Sequence, residues 1–158
     1  MPDGAPWSND VPPVEIWTDG ACSGNPGVGG WAALLRFGQA EKLISGSAEQ
    51  TTNNRMELMA ALEALRALKR ASRVVLTTDS VYLKDGIVLW LPNWKSRGWK
   101  TAAKQPVKNQ DLWQALDSLA QDHEIEWRWT KGHAGQAENE RVDRQARLEV
   151  QQLKRGER

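Results

Sequence analysis

The stretch TTNNRMELMAALEALRALKRA, residues 51–71, decides the fold, because here the chain changes its periodicity. Thr51, Thr52, Asn53 and Asn54 are all N-cap candidates, residues whose side-chain oxygens accept from the open N–H groups of a first helical turn. Residues 55–71 are rich in Ala, Leu, Met, Glu and Arg, which lose little side-chain freedom in a helix, so a helix is predicted there.

Upstream the pattern is that of strands. Val14, Ile16 and Thr18 alternate with Glu15 and Trp17, which predicts a strand ending at Asp19-Gly20. Residues 21–30, rich in glycine and holding Pro26, read as a turn. Residues 30–37 and 41–48 are two further short strands separated by Gly38-Gln39, giving an antiparallel meander. Downstream, residues 73–78 form a buried-strand pattern, and Asp79-Ser80 can cap a helix from Val81. Residues 111–121 read as helix and 124–130 as strand; from Gln136 on, Val142, Ala146, Val150 and Leu153 recur at helical spacing. Three strands followed by alternating helix and strand imply an α/β fold: one mixed five-stranded sheet, three antiparallel strands then two parallel, with helices packed on it.

Composition narrows the function classes. With 158 residues, 40% of them hydrophobic, one domain with one core is expected over residues 14–150. Residues 1–13, with several prolines and polar residues, are expected to be a disordered leader, and 151–158 a charged tail. One cysteine, no zinc-type Cys/His spacing, no secretory signal pattern and no long apolar run together predict a cytoplasmic protein with no membrane contact. The net charge of +1 gives no overall attraction to nucleic acid, so the local distribution must decide.

Four carboxylates stand at element ends or near them: Asp19 and Asp79 at strand ends, Glu57 near a helix start, Asp143 in the last helix. The crevice at the carboxyl ends of strands is the usual site of an α/β sheet. Carboxylates gathered there repel one another and make sense around a cation; magnesium, which prefers oxygen ligands, is the natural guest. Taken singly, each also has an ordinary explanation: a turn, a first-turn acid, a cap, and for Asp143 an ion pair with Arg147. His133, between Gly132 and Gly135, is a loop imidazole able to carry protons; His123 reads as structural.

The motifs themselves are specific. TDGACSGNPG (18–27), TTNNRMEL (51–58), LTTDS (76–80), and KGHAG (131–135) with ENERVD (138–143) closely resemble, in order, those of the bacterial type 1 ribonuclease H family. The resemblance covers about residues 14–146. It implies a ribonuclease H-like fold with helices on both faces of the sheet, and an endonuclease that cuts the RNA strand of RNA–DNA hybrids. It further implies 5′-phosphate and 3′-hydroxyl products, two magnesium ions for which manganese can substitute, and a monomer. The metal-binding carboxylates would be Asp19, Glu57, Asp79 and Asp143, with His133 as the catalytic loop histidine. Cys22, Asn25, Asn53 and Asn54 would contact the RNA strand. The family commonly carries glutamine two residues after the third acid, where this chain has Val81.

Residues 84–108 hold Lys84, Lys95, Arg97, Lys100, Lys104 and Lys108 against Asp85 alone, a local balance of +5, with Trp90, Trp94 and Trp99 interleaved. This resembles the family's basic protrusion, in which aromatics line the DNA-strand channel and cations meet phosphates. By the same resemblance Thr101 joins the DNA-side contacts, and Thr52 with Asn109 forms a phosphate pocket. The alternative for the stretch is a solvated charged helix with core tryptophans. Two other functions compete: a resolvase or integrase core of related fold, and a hybrid-binding module without catalysis.

Overall fold

The computed structural model describes residues 12–131 and 136–156. Eleven-residue strands β1 (Val14–Gly24) and β2 (Gly27–Phe37) and the twelve-residue β3 (Ala40–Thr51) form the antiparallel meander. Helix α1 (Asn53–Arg66) leads to β4 (Arg73–Thr78), α2 (Val81–Asp85), a π-helical turn (Gly86–Trp90) and α3 (Leu91–Ser96). Helix α4 (Gln110–Ala120), β5 (Glu124–Trp129) and α5 (Ala137–Lys154) complete the order. The sheet runs β3-β2-β1-β4-β5, with β1 parallel to β4 and β4 parallel to β5, as the sequence pattern implies.

Alternation along the inner strands explains why helices cover both faces. Ile16, Ala33, Leu35, Val74 and Leu76 point to one side and meet Leu58, Leu62 and Leu65 of α1 with Leu112, Trp113 and Leu116 of α4. Trp17, Ala32 and Leu34 point to the other and meet Val142 and Ala146 of α5. Successive strand side chains face opposite ways, so a sheet apolar at consecutive positions needs cover on both sides. Helix α5 lies close because β2 carries glycine beneath it: a Cβ on Gly30 would stand 2.4 Å from the Ala146 carbonyl oxygen.

Three boundaries depart from the sequence pattern. Residues 21–30 are mostly strand, since β1 and β2 run on to a short link at Asn25-Pro26. Helix α1 begins at Asn53, capped by Thr52, and ends at Arg66 although residues 67–71 are good helix formers. Strand pairing draws the chain out: the Glu124 N–H donates to the Ser72 carbonyl, and the Ser72 N–H donates to His123 Nδ1, both at 3.0 Å. The helix from Val81 is broken by the π-helical turn, immediately ahead of α3, whose second residue Pro92 has no N–H to give to a regular ladder.

His123 is thus a structural acceptor, and burial lowers its pKa below the ordinary 6.5. Its bond is present while the ring is neutral and is lost as pH falls through that depressed value, because a protonated Nδ1 cannot accept. His123→Ala will therefore cost about 1 kcal/mol at pH 8. The penalty will shrink toward zero near pH 5, as read from denaturant midpoints of the two proteins at each pH.

Candidate active site

The register of β1 against β4 creates the site. Their last parallel pair is Thr18 with Thr78, so Asp19 and Asp79 are the next residues along neighbouring strands. Beyond this point β1 continues past Asp19 to Gly24, so Asp19 lies within the strand, contrary to the sequence expectation that the strand stops there. Asp19 is 6% exposed. From the helical side, α1 presses Glu57 toward β1 across Gly20: a Cβ there would stand 2.6 Å from the Glu57 nitrogen and 2.7 Å from the Met56 carbonyl carbon. Asp143 comes from α5 on the opposite face.

The carboxylates interact in a chain of pairs. Asp19 faces Asp79 and Asp143, and Glu57 feels Asp79. Among the described residues no three Asp, Glu, His or Cys side chains close on one cation position. Burial, then the charges of Asp79 and Asp143, push the Asp19 pKa up to about 9. Burial raises Glu57 to about 7, against the opposing effect of the Ser80 hydroxyl.

Hydrogen bonding is uneven across this chain. Asp19 Oδ1 accepts from the Gly20 N–H at 2.9 Å, while Oδ2 is buried with no donor. Its neighbour Asp143 is another carboxylate, so the two can share a hydrogen bond only when one is protonated. Glu57 is better supplied: Ser80 Oγ donates to Oε1 at 2.6 Å and Asn53 Nδ2 to Oε2 at 3.3 Å. Ser80 Oγ in turn accepts from the Leu83 N–H, so α2 is capped by the group that holds Glu57. Asp143 pairs with Arg147 one turn on at 2.7 Å, the pair its spacing suggested, while still facing Asp19. The Asp79 carbonyl accepts from Trp129 Nε1 at 3.1 Å, and Lys84 lies over the Trp129 ring.

A buried carboxylate oxygen with no donor, inside an all-oxygen set, fits a hard divalent cation, whose charge would remove both the repulsion and the unsatisfied oxygen. His133 lies outside the described residues. The hollow around Pro12, Val14, Phe37 and Arg73 sits at the far ends of β1 and β4 and contributes no group here.

Around this crevice, the Asn25 side chain accepts from the Asn53 N–H at 3.1 Å, tying the β1–β2 link to the start of α1. Cys22 Sγ reaches the Thr51 carbonyl at 3.5 Å, and Asn54 is exposed. Thr52 Oγ1 accepts from Arg55 N–H. Arg55 also donates to Asn109 at 3.3 Å and pairs with Asp111 at 2.6 Å. The sequence reading treated Arg55 only as a helix former, yet it bridges Thr52 and Asn109; its place inside the TTNNRMEL motif was the available signal. Ser80 and Trp129 were likewise missed, because Ser80 meets α1 and Trp129 meets the residue after β4, contacts that only the folded chain creates.

The basic stretch resolves into two kinds of residue. Trp94 and Trp99 pack against the core, and Trp90, Trp94, Tyr82 and Trp113 form a chain of ring contacts at 5.5–5.8 Å. Trp90 and Trp94 also line a cleft with Tyr82, Thr101, Gln105 and Lys108, while Trp99 does not. The tryptophans are thus partly core and partly lining. Arg97, Lys100 and Lys104 are exposed, whereas Lys95 is paired with Asp117 of α4 at 3.2 Å.

The mixed sheet, helices on both faces and carboxylates where β1 and β4 part are those of the ribonuclease H-like fold class. Comparison with known proteins makes this specific: the RNase H family model matches residues 12–151, and the chain belongs to that family. It is 61% identical over 140 residues to the ribonuclease H of Hydrogenovibrio crunogenus, covering 89% of this chain and 97% of the relative. The structure of LC9-RNase H1, a type 1 RNase H with the type 2 active-site motif, superposes with a TM-score of 0.80 at 35% identity, over 89% of this chain and 73% of that one. LC11-RNase H1, solved in complex with an RNA/DNA hybrid, shares the fold at a TM-score of 0.67 and 18% identity, over 89% and 98% of the two chains. Among the described residues no helix is long and apolar enough to cross a membrane.

Proposed function

We propose that this enzyme hydrolyses the RNA strand of an RNA–DNA hybrid internally, leaving 5′-phosphate and 3′-hydroxyl ends, with two magnesium ions held by Asp19, Glu57, Asp79 and Asp143. One observation carries the proposal: Asp19 is buried beside Asp79 and Asp143, with one oxygen that no protein donor reaches. Bound there, magnesium would supply positive charge to water and to the departing oxygen, and manganese could replace it. The protein's own groups hold and orient the substrate. Ser80 and Asn53 fix the Glu57 carboxylate, and Asn25 fixes the β1–β2 hairpin that carries Cys22. Cys22, Asn25, Asn53 and Asn54 read 2′-hydroxyls of the RNA strand, which can donate and accept. Thr52, Asn109 and the bridging Arg55 hold a DNA-strand phosphate. Trp90, Trp94, Trp99, Thr101 and the cations Lys95, Arg97, Lys100 and Lys104 follow the DNA strand. His133 carries protons at the exit of product. The family supports action as a monomer, and the single cysteine supports a reducing cytoplasm.

The test uses a hybrid labelled in each strand in turn, alongside duplex DNA, duplex RNA and branched DNA. Magnesium-dependent cuts confined to the RNA of the hybrid, with products that a ligase can join without a kinase, are expected. Cutting in excess chelator, or of branched DNA instead, contradicts the proposal; binding without cutting would mark a hybrid-binding module.

Val81 adds a finer expectation. It is the first residue of α2, 52% exposed, and follows the Ser80 that holds Glu57, yet it brings no hydrogen-bonding side chain to the RNA side. Val81→Gln will lower KM for the hybrid roughly 2–5-fold, the worth of one exposed hydrogen bond, with kcat unchanged in steady-state kinetics.

A further inference from the structure

Helix α5 carries cations that the proposed function leaves unused. At 3.6 residues per turn, Asp143, Arg147 and Lys154 fall within about 40° of one another around its axis. The face that delivers Asp143 to the catalytic crevice therefore continues, over the next three turns, with two cations: Arg147, paired with Asp143 at 2.7 Å, and Lys154. Arg147 has 63% of its side chain exposed. Lys154, in the last turn, donates from Nζ to Ser23 Oγ at 3.0 Å, on the end of β1 that also bears Cys22. The acid between them, Glu149, is turned inward, 3% exposed and accepting from Ser45 of β3. So α5 runs beside β1 from Asp19 to Ser23, with one cation beside the carboxylates and another at the β1–β2 link.

We infer that this face of α5 is a second phosphate-binding track, in which Arg147 and Lys154 contact the RNA strand of the hybrid beyond the scissile position. The track rests on the hybrid-cleaving function proposed above and lies apart from the basic stretch at residues 84–108, which serves the other strand. The two cations are about 10 Å apart along the helix axis, seven residues at 1.5 Å each. A nucleic-acid strand offers a phosphate charge about every 3.4 Å of its own axis, so both can be engaged together. The placement is strand-specific because Lys154 touches the hairpin whose Cys22 and Asn25 face RNA 2′-hydroxyls. It also gives the charged last turn of α5 a purpose: Lys154 braces the hairpin and neutralises the strand lying on it.

The experiment measures equilibrium binding of a hybrid in calcium, without cleavage, across a salt series. Wild type is compared with Arg147→Gln, Lys154→Gln and the double variant. Each single variant is expected to bind about 3–10-fold more weakly at low salt. The double variant should lose close to two units of log–log salt slope, about 0.9 per phosphate contact. Neutralising RNA-strand phosphates as methylphosphonates should erase the difference between wild type and double variant; neutralising the DNA strand should preserve it. Lys154→Arg should bind like wild type. A double variant with unchanged affinity and slope overturns the track, as does a difference erased by neutralising the DNA strand. If wild type fails to bind hybrid at all, the proposed function falls and the track with it, so the two failures are told apart. Melting curves of every variant accompany the binding data, and weakened binding counts for the track when the variant melts as wild type does.

Discussion

Asp19→Asn will give a folded protein that cuts hybrid at least on the order of 10³-fold more slowly than wild type, and that melts at a higher temperature when free of metal. Asparagine keeps the shape of the side chain and its bond from the Gly20 N–H, but removes the charge that faces Asp79 and Asp143. The stability effect has a definite sign. An acid whose folded pKa is raised contributes stability that is fully present below its unfolded value, 3.8 for Asp19, and is lost as pH rises through the folded value, about 9. Metal-free wild type therefore weakens between pH 5 and pH 8, with Glu57, raised to about 7, adding in the same direction. The variant escapes the Asp19 part. Its advantage will be small at pH 5 and roughly 5–10 °C at pH 8, from a few kcal/mol of relieved burial and repulsion. Scanning calorimetry of both proteins in chelator at the two pH values reads this directly, while initial cleavage rates in magnesium read the activity.

Gly20→Ala will damage both stability and activity. The added Cβ would stand 2.6 Å from the backbone nitrogen of Glu57 and 2.7 Å from the Met56 carbonyl carbon. Both are backbone atoms near the start of α1 and cannot rotate away, so β1 and the helix must part. Overpacking of this kind costs about 1–3 kcal/mol, occasionally more. The displacement acts on Glu57 where Ser80 and Asn53 hold it, so kcat will fall on the order of 10–10²-fold even at temperatures where the protein is fully folded. Denaturant unfolding gives the first effect, and kinetics well below the melting temperature the second. Wild-type kcat in a destabilised but folded variant would show that α1 does not set the position of Glu57.

These two variants also mark what was legible in the sequence. Strand alternation at Val14, Ile16 and Thr18, the helix formers after Asn54, and the Arg73–Thr78 run gave the order of elements, since burial on a pleated sheet imposes period two and on a helix about 3.6. The glycine-rich segment at residues 21–30 misled. Glycine ordinarily signals a turn, whereas Gly30 is there because α5 lies on it. The end of α1 was hidden because Ser72 is captured by His123 and Glu124, residues far along the chain. At the site, the motifs named the four acids, but their coupling comes from a register, Thr18 opposite Thr78, that no local pattern specifies. The same holds for Ser80 holding Glu57 and Trp129 holding the Asp79 carbonyl.

Titration calorimetry of the substrate-free protein with magnesium at pH 8 tests most directly whether these carboxylates act as one divalent-cation site. Saturable binding is predicted for wild type, with a binding heat that changes with the ionisation enthalpy of the buffer because protons are released, and a rise in melting temperature larger at pH 8 than at pH 5; Asp19→Asn should lose most of each. Equal magnesium binding by the two proteins, or none by wild type at millimolar magnesium, would contradict the account.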